Sequence, residues 1–164
     1  MTFDAAGEQN ELESRTPLDP LIGSVLDSRY RIVSRMAHGG MGSVYVANDE
    51  RLDRLVAVKI IHQHLAESPK YSARFRREAR AAARISHPGV VPVFDQGEID
   101  GRNYLVMELV DGENLRTYLT RIQPYSVGLV LDLTVQILQA VVAAHQVEVI
   151  HRDLKPENLS LIHI

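Results

Sequence analysis

His151-Arg152-Asp153-Leu154-Lys155-Pro156-Glu157-Asn158 places an acid, a base and an amide in eight consecutive residues, directly after a long helical apolar pattern. Taken alone, the stretch reads as a solvated turn rich in charge. Its meaning depends on whether the upstream chain supplies the groups that such a loop would work with.

The chain has 164 residues, enough for one ordinary domain or two small lobes. Hydrophobic residues make up 45% and charged residues 24%, a balance suited to a packed core. The formal net charge of -3 gives no general attraction to nucleic acid or anionic membrane. The absence of Cys excludes disulfides, Cys-based zinc sites and thiol nucleophiles. Met1 to Asn10 is acidic, without the basic start and apolar centre of a secretory signal. The longest apolar candidate, Val127 to Ile150, is broken by Asp132, Gln136, Gln139, His145 and Glu148, so no membrane segment is expected.

Upstream of the opening stretch the pattern is first β-rich, then helical. Residues 1–21 are polar and acidic and read as a disordered tail. Tyr30–Met36, Ser43–Ala47, Leu55–Ile61, Val90–Asp95 and Asn103–Glu108 read as five strands. Gly97 to Gly101 reads as the turn between the last two. Ser68-Pro69 suits a helix start, and Tyr71 to Ile85 carries apolar residues at helical spacing with five arginines mostly on the other face. After Asp111-Gly112, Leu115 to Ile122 predicts a short helix, and Ser126 can cap a long one. Strands followed by helices indicate an α+β fold in two lobes: residues 22–110, then residues 111–164.

Three upstream features have chemical potential. Ala37-His38-Gly39-Gly40-Met41-Gly42 is a glycine turn between two strands, and a backbone lacking side chains can approach phosphates with its N–H groups. A dinucleotide fingerprint would open a helix, and a Walker loop would end in Gly-Lys-Ser/Thr; neither pattern is present. Lys59, inside the apolar run Val56 to Ile61, needs a partner if it turns inward, and otherwise snorkels to water. Glu78 is the only acid between Tyr71 and Ile85, and an exposed pair with a neighbouring arginine would explain it equally well. His62 and His64 on one strand edge can hold a metal, although a surface role is simpler. The arginine face of the helix reads as solvated.

The opening stretch resembles the catalytic loop of the protein kinases, H-R-D-x-K-x-x-N, in its serine/threonine form. The upstream features stand in that family's order. Leu26-Asp27-Ser28-Arg29-Tyr30 and Gly39-Gly40-Met41-Gly42 look most like the bacterial eukaryotic-like serine/threonine kinases. The resemblance implies a protein-kinase-like fold, with a five-stranded antiparallel small lobe bearing one helix and the first helices of a helical large lobe. It implies ATP and Mg2+ as cofactors, protein Ser/Thr hydroxyls as acceptors, and a cytoplasmic kinase portion whose parent can be membrane-anchored.

The implied catalytic residues are Asp153 as base or orienter, Lys155 facing the phosphoryl group, Asn158 as a magnesium ligand, and Lys59 with Glu78 as its partly buried partner. The implied nucleotide contacts are Met36, Ala37, Gly39, Gly40, Gly42, Val44, Ala57 and Lys59, with Met107 as gatekeeper and Glu108 and Val110 as backbone contacts at the hinge. Arg152 is the position that pairs a phosphate in kinases of this type. Ala37 stands where the family has its first glycine, and Ser160 where it has an apolar residue. The resemblance therefore predicts a chain cut short after the catalytic loop, with a second magnesium ligand missing, the last five or six residues foreign to the family, and no phosphotransfer of its own.

Overall fold

The computed structural model describes residues 19–161; the acidic tail lies almost wholly outside them. Its main feature is a six-stranded antiparallel sheet in the order β1-β2-β3-β4-β6-β5. The strands are β1 (Val25–Leu26), β2 (Tyr30–Gly39), β3 (Gly42–Asp49), β4 (Arg54–Ile61), β5 (Val93–Ile99) and β6 (Arg102–Glu108). Two short helices follow β4: α1 (Gln63–Ala66) and α2 (Pro69–Ala82). After the sheet come a two-residue strand β7 (Glu113–Asn114), α3 (Leu115–Arg121), α4 (Val127–Gln146), a 3-10 turn at Pro156–Asn158 and β8 (Ser160–Leu161).

The sheet's two faces separate by the period of two. Along β3, Ser43, Tyr45, Ala47 and Asp49 are buried, while Val44, Val46 and Asn48 are half-buried. The core lies on the first face and joins Tyr45, Ala47, Val56, Val58, Ile60, Tyr104 and Val106 to Leu21, Leu26, Tyr30 and Ile32. Its three tyrosines each direct their hydroxyl at an aspartate: Tyr30 donates to Asp95 at 2.8 Å, Tyr45 to Asp19 at 2.9 Å, and Tyr104 to Asp27. Burial of a phenol demands such a partner. On the other face Val44, Val46 and Asn48 of β3 stay half-buried, while Ala57 and Ile61 of β4 are buried.

The structure revises several sequence expectations. A sixth strand, β1, lengthens the sheet; two residues are too few to give an alternating signal. Gly97 is a strand residue, and the turn is confined to Asp100 and Gly101, both at positive φ. Gly97 is required by contact: a Cβ there would lie 2.3 Å from the Tyr104 hydroxyl. Pro92 delays β5 to Val93, since proline gives no ladder donor. Helix α2 opens as expected, with Pro69 first and the Ser68 hydroxyl accepting from Tyr71 N–H, but ends at Ala82 and not Ile85.

The Ser126 hydroxyl caps α4 by accepting from Leu129 N–H at 3.1 Å. With a mean hydropathy of 1.9, α4 is long and apolar enough to cross a membrane by length and composition, which the interrupted run did not suggest. None of its residues is buried, and Val127, Leu131, Val135, Leu138 and Val142 are exposed.

Candidate active site

Strand register assembles most of the expected nucleotide contacts. Ala37 pairs with Val44, Val44 with Lys59, and Lys59 with Leu105, giving one row across four strands. Two residues along, Val46 pairs with Ala57 and Ala57 with Met107. Residues two apart on a strand share a face, so Ala37, Val44, Ala57, Lys59 and Met107 line the face opposite the core. Val44, Lys59 and Met107 are half-buried and Ala57 is buried. Met36 is exposed at the neighbouring β2 position, and Glu108 and Val110 follow where β6 runs out.

Gly39 and Gly42 face each other across β2 and β3, closing a two-residue turn of Gly40 and Met41. Gly42 is the position with no alternative: a Cβ there would stand 2.2 Å from the Ile60 carbonyl oxygen. At Gly39 the nearest atom to such a Cβ is 3.9 Å away, and at Gly40 the space is open.

Lys59 and Glu78 are not brought together. Among the described residues, Lys59 has no ion pair, and Glu78 accepts from Arg74, one turn earlier on α2, at 2.9 Å. Both members of that pair are half-exposed, so it contributes only about 0.3–0.5 kcal/mol. The expected partly buried Lys59–Glu78 pair is absent, and Glu78 instead takes the half-exposed cation that its own helix supplies one turn earlier.

The catalytic-loop residues do converge. Asp153 Oδ2 lies 2.9 Å from Lys155 Nζ and accepts from Asn158 Nδ2 at 3.0 Å. Asn158 Nδ2 also donates to the Asp153 carbonyl at 2.8 Å. The hydrogen bond from Lys155, then that from Asn158, holds the Asp153 carboxyl below the usual carboxylate range. Such a group is ionised at neutral pH. It is a weak proton acceptor but a strong hydrogen-bond acceptor, which suits it to orienting a hydroxyl. Arg152 sits at φ +63°, in the left-handed region, and is exposed.

Asn158 spends its amide nitrogen on Asp153, which leaves its carbonyl oxygen directed elsewhere. Magnesium commonly takes one or two protein oxygens together with phosphates and water, and this oxygen fits that habit. Among the described residues no group of three or more His, Asp or Glu side chains can hold a metal, His62 and His64 included.

Contacts that the sequence did not disclose fasten the loop. Strand β8 pairs with β7 (Glu113 with Leu161, Asn114 with Ser160), and Leu115 N–H donates to the Leu159 carbonyl at 2.8 Å. Arg116 on α3 pairs with Glu157 at 2.8 Å. The start of the helical segment thus grips the 3-10 turn at Glu157 and the chain that leaves it at Leu159–Leu161. His62 was also missed: its Nε2 lies 2.7 Å from the Gly39 carbonyl oxygen. Only the register, which sets the end of β4 beside the glycine turn, makes that contact foreseeable.

Comparison with known proteins agrees with this geometry. Residues 30–163 match the family described as the protein kinase domain. A probable serine/threonine-protein kinase, pknA2 of Bifidobacterium longum, is 46% identical over 82% of this chain and 18% of its own length. PrkC of Bacillus subtilis, also a serine/threonine-protein kinase, is 41% identical over 88% of this chain and 22% of its own. PknA of Mycobacterium tuberculosis is 43% identical over 87% and 34%. The chain therefore spans about a fifth to a third of the length of these relatives. Among solved structures, the PknI kinase domain of Mycobacterium tuberculosis superposes with a TM-score of 0.77 at 31% identity, over 87% of this chain and 59% of that one. The chain belongs to the protein kinase family, among the bacterial serine/threonine kinases.

Proposed function

We propose that the open sheet face holds ATP with magnesium, and that the domain transfers the γ-phosphoryl group to serine or threonine hydroxyls of proteins. The observation that carries this reading is the pair of register rows that puts Ala37, Val44, Ala57, Lys59 and Met107 on one face. In this reading Val44 and Ala57 cover the adenine, Met107 backs it, and backbone groups of Glu108 and Val110 meet its edge. Lys59 contacts the phosphates, and Glu78 leaves Arg74 to pair with Lys59 when the nucleotide is in place. Gly39, Gly40 and Gly42 form the phosphate-facing turn, and Met36 precedes it on β2.

Asp153 would orient the acceptor hydroxyl, and its proton passes to the carboxylate late, once the oxygen is committed to phosphorus. Lys155 offsets charge on the transferring group, and Asn158 holds magnesium through its amide oxygen. Magnesium supplies neutralisation of the phosphate oxygens. Residues 22–110 form the small lobe in this reading, and residues 111–164 begin the large one. The exposed side of α4 is then a packing face for the remainder of a kinase domain. The kinase portion works where ATP is, in the cytoplasm.

Titration of a fluorescent ATP analogue with Mg2+ tests the reading. Saturable binding that Lys59→Met weakens at least about tenfold is expected, given that charge-assisted hydrogen bonds contribute roughly 1.5–3 kcal/mol. Equal binding by both proteins would refute it. A second reading, nucleotide binding without turnover, is favoured by the pairing of Glu78 with Arg74, which leaves Lys59 without its expected partner among the described residues. Lys59-dependent autophosphorylation of the 164-residue chain would exclude that second reading.

A further inference from the structure

We infer that His62 is a positioning residue, a latch that fixes the glycine turn from the side of the sheet away from the nucleotide. This rests on the nucleotide reading above and adds a residue to it. His62 directly follows β4, and its backbone N–H donates to the Met41 carbonyl at 3.2 Å. That bond carries the β3–β4 pairing one step past Gly42 and Ile61, to the tip of the turn. The imidazole then reaches across β3 to β2, where Nε2 meets the Gly39 carbonyl oxygen at 2.7 Å. A carbonyl only accepts, so the proton sits on Nε2. The ring also lies 4.9 Å from that of His38, whose Nδ1 is 2.8 Å from the Ser43 hydroxyl oxygen. One residue directly after β4 therefore holds the hairpin at its tip, through Met41, and at the end of β2, through Gly39.

The placement fits a positioning role. His62, His38, Ser43, Tyr45 and Ile60 line one cavity on the core side of the sheet, while Lys59 and Val44 share the opposite face. The latch does not occupy the space meant for phosphates. The need for it is conformational. Gly39, Gly40 and Gly42 make the turn open to close backbone approach, and also expensive to order, since glycine loses the most freedom on being fixed. A turn already ordered presents its N–H groups without that loss, and the gain appears as affinity.

The test uses the 164-residue chain and its His62→Ala, His62→Gln and His62→Phe variants. Binding of the fluorescent ATP analogue with Mg2+ is measured alongside hydrogen exchange at residues 39–43. His62→Ala should weaken binding about fivefold, the worth of one ordinary hydrogen bond, and speed exchange in the turn. Gln, which can still donate to Gly39, should restore both; Phe, which keeps a ring but no donor, should restore neither. Faster exchange with unchanged affinity would overturn the inference, leaving His62 a purely structural residue. So would full rescue by Phe, or unchanged exchange in His62→Ala. Absence of binding by the unmutated chain would refute the nucleotide reading and the affinity claim with it, while exchange alone would still decide whether the latch exists.

Discussion

Replacing Asp49 tests the electrostatic anchor of the sheet. Its side chain is fully buried, and both oxygens are used: Arg29 Nε donates to Oδ1 at 2.8 Å and Arg29 Nη2 to Oδ2 at 2.7 Å, with Arg51 N–H on Oδ1 at 3.2 Å. Among the described residues, Asp49→Ala leaves Arg29 with Asp95, 3.6 Å away, as its one remaining carboxylate. Breaking a fully buried pair costs roughly 3–5 kcal/mol, but Arg29 reaches solvent, so about 2–3 kcal/mol is expected here. For a chain of this size that is a fall in Tm of about 10 °C. Asp49→Asn, which keeps one acceptor, should lose about half as much.

The pH dependence follows from the same contact. The hydrogen bond from Arg29 holds the Asp49 carboxyl below its ordinary value of 3.8. A carboxyl depressed in the folded state stabilises fully above the unfolded value and loses that contribution as pH falls through the folded one. The gap between wild type and Asp49→Ala in urea unfolding should therefore narrow on acidification below about pH 4. A gap that stays constant down to about pH 2.5, or one under about 0.5 kcal/mol at neutral pH, would refute the reasoning.

Other outcomes are expected at the site itself. Gly42→Ala drives a Cβ into backbone at Ile60 and Ile61, with contacts of 2.2, 3.0 and 3.1 Å. It should cost about 1–3 kcal/mol in urea unfolding and shift the β3–β4 amide resonances. Lys155→Ala removes the largest influence lowering the Asp153 carboxyl, so a carboxyl-carbon NMR titration should show its pKa move up toward 3.8. Arg116→Ala cuts an exposed pair and should change global stability by less than about 1 kcal/mol. It should nevertheless quicken hydrogen exchange at residues 155–159, because Glu157 loses its tie to α3. Arg74→Ala frees Glu78, and should tighten nucleotide binding if Glu78 must leave Arg74 to reach Lys59.

Much of the fold was legible because its signals are local. β-rich runs bounded by turn residues exposed the long strands, Ser68-Pro69 and Ser126 marked two helix starts, and Asp111-Gly112 marked the passage from strands to helices. Elements set by distant partners left no such trace. Strands β1, β7 and β8 have two residues each, too few for periodicity, and exist only because another strand lies alongside. Gly97 looked like a turn because its true reason, the Tyr104 ring over it, sits on another strand.

By itself the sequence determined the chemistry available: a glycine turn without dinucleotide or Walker spacing, one lysine in an apolar strand, and an acid, a lysine and an amide in fixed order from Asp153 to Asn158. Residue types and short spacings are covalent facts, and they sufficed for a resemblance to the protein kinases to be visible. Tertiary structure decided which groups meet. Register set Lys59 between Val44 and Leu105, and let His62 cross β3 to Gly39. It also left Glu78 with Arg74, because a half-exposed carboxylate takes the cation its own helix provides unless packing brings a better one. Partner choice depends on distances that no single stretch of chain contains. For that reason the Asp153 cluster closes within six residues, while the Lys59–Glu78 pair, which would span a strand and a helix, does not form.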